Sequence, residues 1–106
     1  GKTMQTLSHL LAEKESGRFK GLPSLVIAPT SVVSNWRAEA IKFAPSLRLL
    51  VLNGSDRSKY FRSMPYADVV LTSYALLHRD IEKLKDQPFH LVILDNGRSR
   101  VLATQF

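Results

Sequence analysis

The stretch LVIAPTSVVSNWRAEAIKF, residues 25–43, contains a strand and the helix that follows it. It opens with four consecutive apolar residues, Leu25 to Ala28, and such runs are typical of strands covered on both faces. From Val33 onward, apolar side chains return at helical spacing, at Trp36, Ala40 and Phe43. We therefore predict a buried strand, then an amphipathic helix in which Trp36 lies in the core.

The same strand-then-helix unit repeats along the chain. Apolar runs also begin at Leu49, Val69 and Leu91, so strand starts fall about every 22 residues, the length of a helical crossover between parallel strands. Two further helical patterns complete the alternation: Tyr74, Leu77, Ile81 and Leu84 in one, and Met4, Leu7, Leu10 and Leu11, ending near Gly17, in the other. These units predict an α/β fold, a three-layer sandwich with a mainly parallel sheet.

Residues outside these runs receive simpler interpretations. Asn53-Gly54-Ser55-Asp56 predicts a turn into a short helix capped by Ser55. Acidic residues of the helices are expected to be solvated, and the histidines to be surface or helix-face residues without ligand roles. These residues are Glu13, Glu15, Glu39, Asp80, Glu82 and Asp86, with His9, His78 and His90.

Composition limits the classes of function. The 106 residues suffice for one small domain but not for two lobes around a cleft, and 44% hydrophobic content fits a globular fold. Without cysteine, disulfides and cysteine-ligated zinc are excluded, and the apolar runs are far shorter than the roughly 20 residues that cross a bilayer. The net charge of +6 favours polyanionic partners, but basic residues are spread along the chain, so charge alone leaves nucleic-acid binding open.

Two short patterns suit phosphate and metal chemistry. Gly1-Lys2-Thr3 at a helix start matches the end of a phosphate-binding loop, in which amides and lysine neutralise phosphate and the hydroxyl binds Mg²⁺. Asp95 directly follows the fourth apolar run, at the strand end where parallel sheets gather ligands. Spacing alone leaves two readings of Asp95 equally open: a Mg²⁺ ligand, or a residue that turns the chain before Asn96-Gly97.

The segment Ala28 to Glu39 resembles the second helicase motif of Swi/Snf-type ATPases, Pro-x-Ser-x-x-x-Asn-Trp-x-x-Glu. Three other segments of the chain resemble further motifs of that family, in the family's order. Gly1 to Thr6 resembles Gly-Lys-Thr-x-Gln-Thr, Val70 to Tyr74 resembles the Thr-Ser/Thr-Tyr motif, and Leu91 to Asp95 resembles the strand that leads into Asp-Glu-Ala-His/Gln. The resemblance covers residues 1–95.

The resemblance implies the ATP-binding, RecA-like lobe of a helicase-like ATPase that translocates on duplex DNA and remodels protein–DNA complexes. It implies ATP and Mg²⁺ as cofactors. The implied nucleotide-binding residues are Gly1, Lys2, Thr3 and Gln5, with Lys2 on the β- and γ-phosphates and with Thr3 and Asp95 on Mg²⁺. The implied contacts to the DNA phosphate backbone are Thr30, Ser31, Thr72 and Ser73.

The sequence also departs from the family pattern. Asn96 replaces the glutamate that activates the attacking water, and an amide is not a general base at neutral pH. Residues 96–106 do not follow the pattern, and the chain starts at Gly1 without the upstream half of the phosphate loop or a second lobe. We therefore expect a segment truncated at both ends, with a partial lobe at residues 1–95, that does not hydrolyse ATP alone. We also expect an intracellular location: the cytoplasm or nucleoid in a bacterium, or the nucleus in a eukaryote.

Two alternatives stay open. A different P-loop phosphotransferase would share the phosphate loop and the parallel sheet, although the Asn35-Trp36 pair argues against it. A degenerate lobe that only binds nucleic acid or protein would fit Asn96 and the net charge of +6.

Overall fold

The computed structural model describes residues 2–18, 21–52, 57–95 and 101–104. Helices and strands alternate along these residues, as predicted. They are α1 (Lys2–Glu15), β1 (Ser24–Ala28), α2 (Thr30–Phe43), β2 (Leu49–Val51), α3 (Arg57–Ser63), a 3₁₀ turn (Met64–Tyr66), β3 (Val69–Ser73), α4 (Tyr74–Lys85), β4 (Val92–Asp95) and β5 (Val101–Thr104).

The strands form one sheet in the order β2-β3-β1-β4-β5. β1 lies between β3 and β4 and pairs in parallel with both, and β2 pairs in parallel with β3. The predicted α/β class with a mainly parallel sheet is confirmed. Sequence patterning did not predict β5, which pairs antiparallel with β4.

Both faces of the sheet are covered, because side chains along each strand alternate between two apolar clusters. One cluster joins α1 and α2 to the sheet through residues such as Leu7, Leu10, Val26, Trp36, Ala40, Leu71 and Ile93. The other lies on the face that carries the 3₁₀ turn and α4, and includes Leu25, Ile27, Met64, Val70, Leu84, Phe89 and Val92. The chain is therefore a three-layer sandwich.

Helical periodicity overestimated burial at three positions. Phe43 closes α2 with 44% of its surface exposed, and the Lys42 ammonium lies 5.2 Å from the centroid of its ring. Met4 and Ile81 are also exposed, at 40% and 36%. On these helices, the apolar residues thus occupy a wider strip of the surface than the part that packs against the sheet.

Two acidic residues predicted to be solvated are buried, so that prediction is wrong for Glu13 and Asp80. Glu13 ties the end of α1 to the sheet, since its carboxylate lies 3.0 Å from Arg18 Nη1 and 3.3 Å from His90 Nε2. His90 is correspondingly not a surface residue, with a side chain only 12% exposed. Long-range ionic partners of this kind leave no local sequence pattern.

A second ionic contact at the same end of the molecule centres on Asp68, just before β3. Its Oδ2 accepts hydrogen bonds from Lys14 Nζ at 2.8 Å and from the backbone N–H of Arg48 at 2.7 Å. The Lys14 ammonium also donates to the Ser46 carbonyl at 2.6 Å. These contacts fix the last turn of α1 at the edge where β1, β3 and β4 begin.

The Asp68 carboxylate should make stability depend on pH. Burial opposes its ionisation, but the hydrogen bonds from Lys14 and Arg48 outweigh burial and lower the pKa of Asp68 below its ordinary value. Such a group stabilises the fold above its unfolded pKa, about 3.9, and this stabilisation is lost as the pH falls through the folded pKa. We expect Asp68→Asn to lower the free energy of unfolding by about 1–3 kcal/mol at neutral pH, and by progressively less below about pH 4.

Urea unfolding of both chains across this pH range measures the difference. The matched control is Glu82→Gln, because Glu82 is highly exposed and its carboxylate lies 3.9 Å from Lys85, a surface pair expected to contribute little. A deficit of Asp68→Asn that persists unchanged at low pH would contradict the ionic role.

Candidate functional site

The start of α1 and the end of β4 lie at the same edge of the sheet. The last turn of α1 sits at the amino edge through the contacts of Glu13 with His90 and of Lys14 with Asp68. The helix therefore runs opposite to the strands, and its first residues, Lys2 and Thr3, lie at the carboxyl edge, where Asp95 ends β4.

Asp95 also lies on the sheet face that α1 covers. Ile93 packs in the same cluster as the α1 residues Leu7 and Leu10, and Asp95 follows Ile93 by two positions along β4. The geometry thus brings the start of α1 and the Asp95 carboxylate to one edge and one face. Thr3 is half-buried there, Gln5 is exposed, and Gly1 lies outside the described residues.

Trp36 holds the Asp95 carboxylate. The indole Nε1–H donates a hydrogen bond of 2.8 Å to Asp95 Oδ2, and both side chains are buried. Burial and the negative charge of Asp95 raise the pKa of the Tyr74 hydroxyl above its ordinary value. The prediction that Trp36 is a core residue is confirmed, but its sequence spacing gave no sign of this bond.

The chemistry of this edge fits Mg²⁺. The described part of the chain contains no group of three or more metal-binding side chains, so it has no all-protein metal cage. Mg²⁺ in nucleotide sites is held instead by one or two carboxylates together with phosphates and water. Carboxylate and hydroxyl oxygens are the ligand types that such a site uses. Asp95 and the Thr3 hydroxyl are therefore suitable oxygen donors.

The four predicted phosphate-contact residues fall into different settings. Thr30 and Ser31 are exposed in the first turn of α2, which begins after Pro29 without a side-chain cap. Ser73 is buried and caps α4, since its Oγ accepts a hydrogen bond from the Leu76 N–H at 3.2 Å. Thr72 is fully buried, and within the described residues its Oγ1 has no hydrogen-bond partner. The structure therefore presents Thr30 and Ser31 to solvent but not Thr72.

A cavity of about 460 Å³ lies between the first turns of α2 and α4 and the end of β2. It brings together Thr30 and Ser73, and adds Ser34 and the exposed Arg37, which sequence analysis did not single out. The signal was present: Thr30, Ser34 and Arg37 stand at positions i, i+4 and i+7 of α2 and so share one helix face. A cation and several hydroxyl groups in one open cavity can bind an anion.

Other predictions fall outside what the structure describes. Asn96, and the Asn53–Asp56 turn with its Ser55 cap, lie outside the described residues. Among the helices that the structure describes, none has the length and apolar character needed to span a membrane.

Comparison with known proteins gives a consistent result. A family model described as the SNF2-related domain matches residues 1–101. YwqA of Bacillus subtilis, a candidate ATP-dependent helicase/translocase, is 43% identical over 102 residues, covering 93% of this chain and 11% of that protein. The TATA-binding protein-associated factor mot1 of Schizosaccharomyces pombe is 30% identical over 109 residues, covering 92% of this chain and 6% of mot1.

The fold agrees with the sequence matches. The Sulfolobus solfataricus SWI2/SNF2 ATPase core in complex with dsDNA superimposes with a TM-score of 0.79 at 41% identity, covering 90% of this chain and 19% of that one. The same core domain solved separately gives a TM-score of 0.75 at 37% identity. The resemblance carried by the motifs is confirmed: this chain belongs to the SNF2-related domain family.

Proposed function

We propose that this chain forms part of the ATP-binding lobe of a DNA-dependent ATPase that translocates on duplex DNA and remodels protein–DNA complexes. One observation carries the proposal, namely that the start of α1 and Asp95 share an edge and a face of the sheet. The names of relatives support it, since YwqA is a candidate helicase/translocase and the similar solved core is a complex with dsDNA. The chain spans only 11% of YwqA, so translocation would depend on further polypeptide, including a second lobe.

In the nucleotide half of the site, the first amides of α1 and Lys2 would bind the phosphates. Thr3 and Asp95 would hold Mg²⁺, which when bound neutralises charge on the β- and γ-phosphates. Buried and fixed by Trp36, the Asp95 carboxylate would be held in place before the nucleotide arrives.

In the nucleic-acid half, Thr30 and Ser31 with the uncapped first amides of α2 would bind backbone phosphates, and Arg37 would supply the charge. Such contacts do not read base sequence. The net charge of +6 would draw the polyanion to the chain over longer distances.

Asn96 favours a second candidate, a lobe that binds nucleotide and DNA without hydrolysing ATP. It stands where the family pattern has the glutamate that activates water, and an amide does not accept a proton at neutral pH. The test compares ATP hydrolysis by the Asn96 protein and by its Asn96→Glu variant, each within a polypeptide that also supplies the second lobe. Hydrolysis by the variant but not by the Asn96 protein would favour this second candidate.

The Mg²⁺ role of Asp95 predicts that ATP binding depends on the metal. We expect Mg²⁺ to strengthen ATP binding by this chain and Asp95→Asn to weaken Mg–ATP binding by about tenfold or more, with binding of metal-free ATP little changed. Titrations followed by NMR, with Mg²⁺ or with a chelator, measure both affinities. The control is Asp86→Asn at the exposed end of α4, and equal Mg²⁺ dependence in Asp95→Asn and the parent chain would refute the role.

The phosphate-contact model predicts how DNA affinity responds to salt. Arg37→Ala should weaken binding to unrelated duplexes equally and reduce the slope of log affinity against log salt by about 1, since one counterion-releasing contact is lost. The double variant Thr30→Ala/Ser31→Ala should lower affinity without changing the slope, because hydroxyls carry no charge.

Fluorescence anisotropy of labelled duplexes at several salt concentrations gives both quantities. Lys85→Ala serves as the control, since Lys85 is an exposed cation that lines a groove on the opposite face of the sheet. A strong preference of the parent chain for one base sequence would contradict the model.

A further inference from the structure

Trp36 and Asp95 make a buried hydrogen bond between elements far apart in the sequence. The two residues are separated by 59 positions, and their Nε1 and Oδ2 atoms lie 2.8 Å apart. Trp36 belongs to α2, whose first turn exposes Thr30 and Ser31, whereas Asp95 ends β4 at the other half of the proposed site. The bond is therefore a direct physical link between the two halves.

We propose that Trp36 is a positioning residue that couples nucleic-acid contact at the start of α2 to the orientation of the Asp95 carboxylate. The inference rests on the proposed function, because it takes Asp95 to be the Mg²⁺ ligand and Thr30 and Ser31 to be phosphate contacts. It goes beyond that function by naming the side chain through which one ligand affects the other.

The packing around Trp36 allows a displacement of the first turn of α2 to reach the Asp95 carboxylate. The indole is fully buried in the cluster that joins α1, α2 and the sheet, and close-packed interiors pass on displacements because they contain little free space. α2 is a continuous 14-residue helix, so a shift of its first turn also moves the indole. A bound phosphate at Thr30 and Ser31 would therefore act on the position of Nε1.

The hydrogen bond is sensitive to such a shift. An N–H···O bond has a narrow range of favourable lengths, about 2.7–3.2 Å, and the observed bond lies near the short end. A buried indole N–H has no water to replace its partner, so the carboxylate follows the donor. A partner that orients a metal-binding carboxylate typically changes metal affinity by about 10–100-fold when it is lost.

Thermodynamic coupling on this chain tests the inference. Mg–ATP affinity is measured by NMR titration with and without a saturating short DNA duplex, and the ratio of the two affinities is the coupling factor. We expect a factor of about five or more for the parent chain and a factor near 1 for Trp36→Phe, which keeps an aromatic ring but removes the donor. Each ligand alone should still bind Trp36→Phe.

Phe89→Leu is the matched control for loss of packing. Phe89 is a buried aromatic residue in the cluster on the other face of the sheet, so this variant should lose stability and yet keep the coupling factor of the parent. Coupling that survives in Trp36→Phe would overturn the inference. A variant whose Mg–ATP affinity falls equally with and without DNA would overturn it too, since Trp36 would then only support the metal site.

A second measurement needs no variant. Trp36 is the only tryptophan, so one indole N–H signal reports on this bond in the NMR spectrum. Duplex DNA without nucleotide should shift that signal although the indole is buried, and an unchanged signal at saturating DNA would overturn the inference.

The inference and the proposed function can fail separately. If the parent chain binds both ligands with a coupling factor of 1, the inference fails while the proposed function stands. If it binds neither ligand, the inference fails, because the binding roles of Asp95, Thr30 and Ser31 on which it rests are then absent from this chain.

Discussion

Parallel pairing of β1 with β3 and β4 is the constraint on which the rest of the structure depends. Because the three strands run in one direction, all their carboxyl ends must meet at one edge. The helices that cover the sheet carry the chain back to the amino edge, so each of them begins near the carboxyl end of a strand and ends near the amino end of the next. The polar residues at the starts of α1, α2 and α4 and at the end of β4 are neighbours for this reason, although they are distant in sequence.

Charged and polar side chains are arranged differently at the two edges of the sheet. At the amino edge, Asp68 and Glu13 are buried and paired with Lys14, Arg48, Arg18 and His90, which fixes α1 in place. At the carboxyl edge, the Asp95 carboxylate accepts a hydrogen bond from the Trp36 indole, and Thr30, Ser31 and Arg37 face solvent or an open cavity. Paired charges at one edge and exposed polar groups at the other suit the proposed lobe, in which the first edge anchors α1 and the second would bind anionic ligands.

Sequence reasoning predicted the elements better than their contacts. Continuous apolar runs located β1 to β4, and helical spacing located α1, α2 and α4, because these signals come from neighbouring residues. The burial of Glu13, Asp80 and His90 was not predicted, since it depends on partners brought together by the fold. The same holds for the Trp36–Asp95 bond. Arg37 was missed for another reason: its helix face was readable, but the cavity beside it depends on β2 and α4.

The position of β1 in the middle of the sheet has a consequence for biosynthesis. Leu25 pairs with Val70 on one side and with Val92 on the other, both far later in the chain. During translation the apolar run of β1 therefore leaves the ribosome long before either neighbouring strand exists. Non-local pairing of this kind slows folding and leaves aggregation-prone apolar segments exposed until the partner strands are available. The β1 segment thus lacks a strand partner until β3 has emerged, and its second neighbour until β4 has emerged.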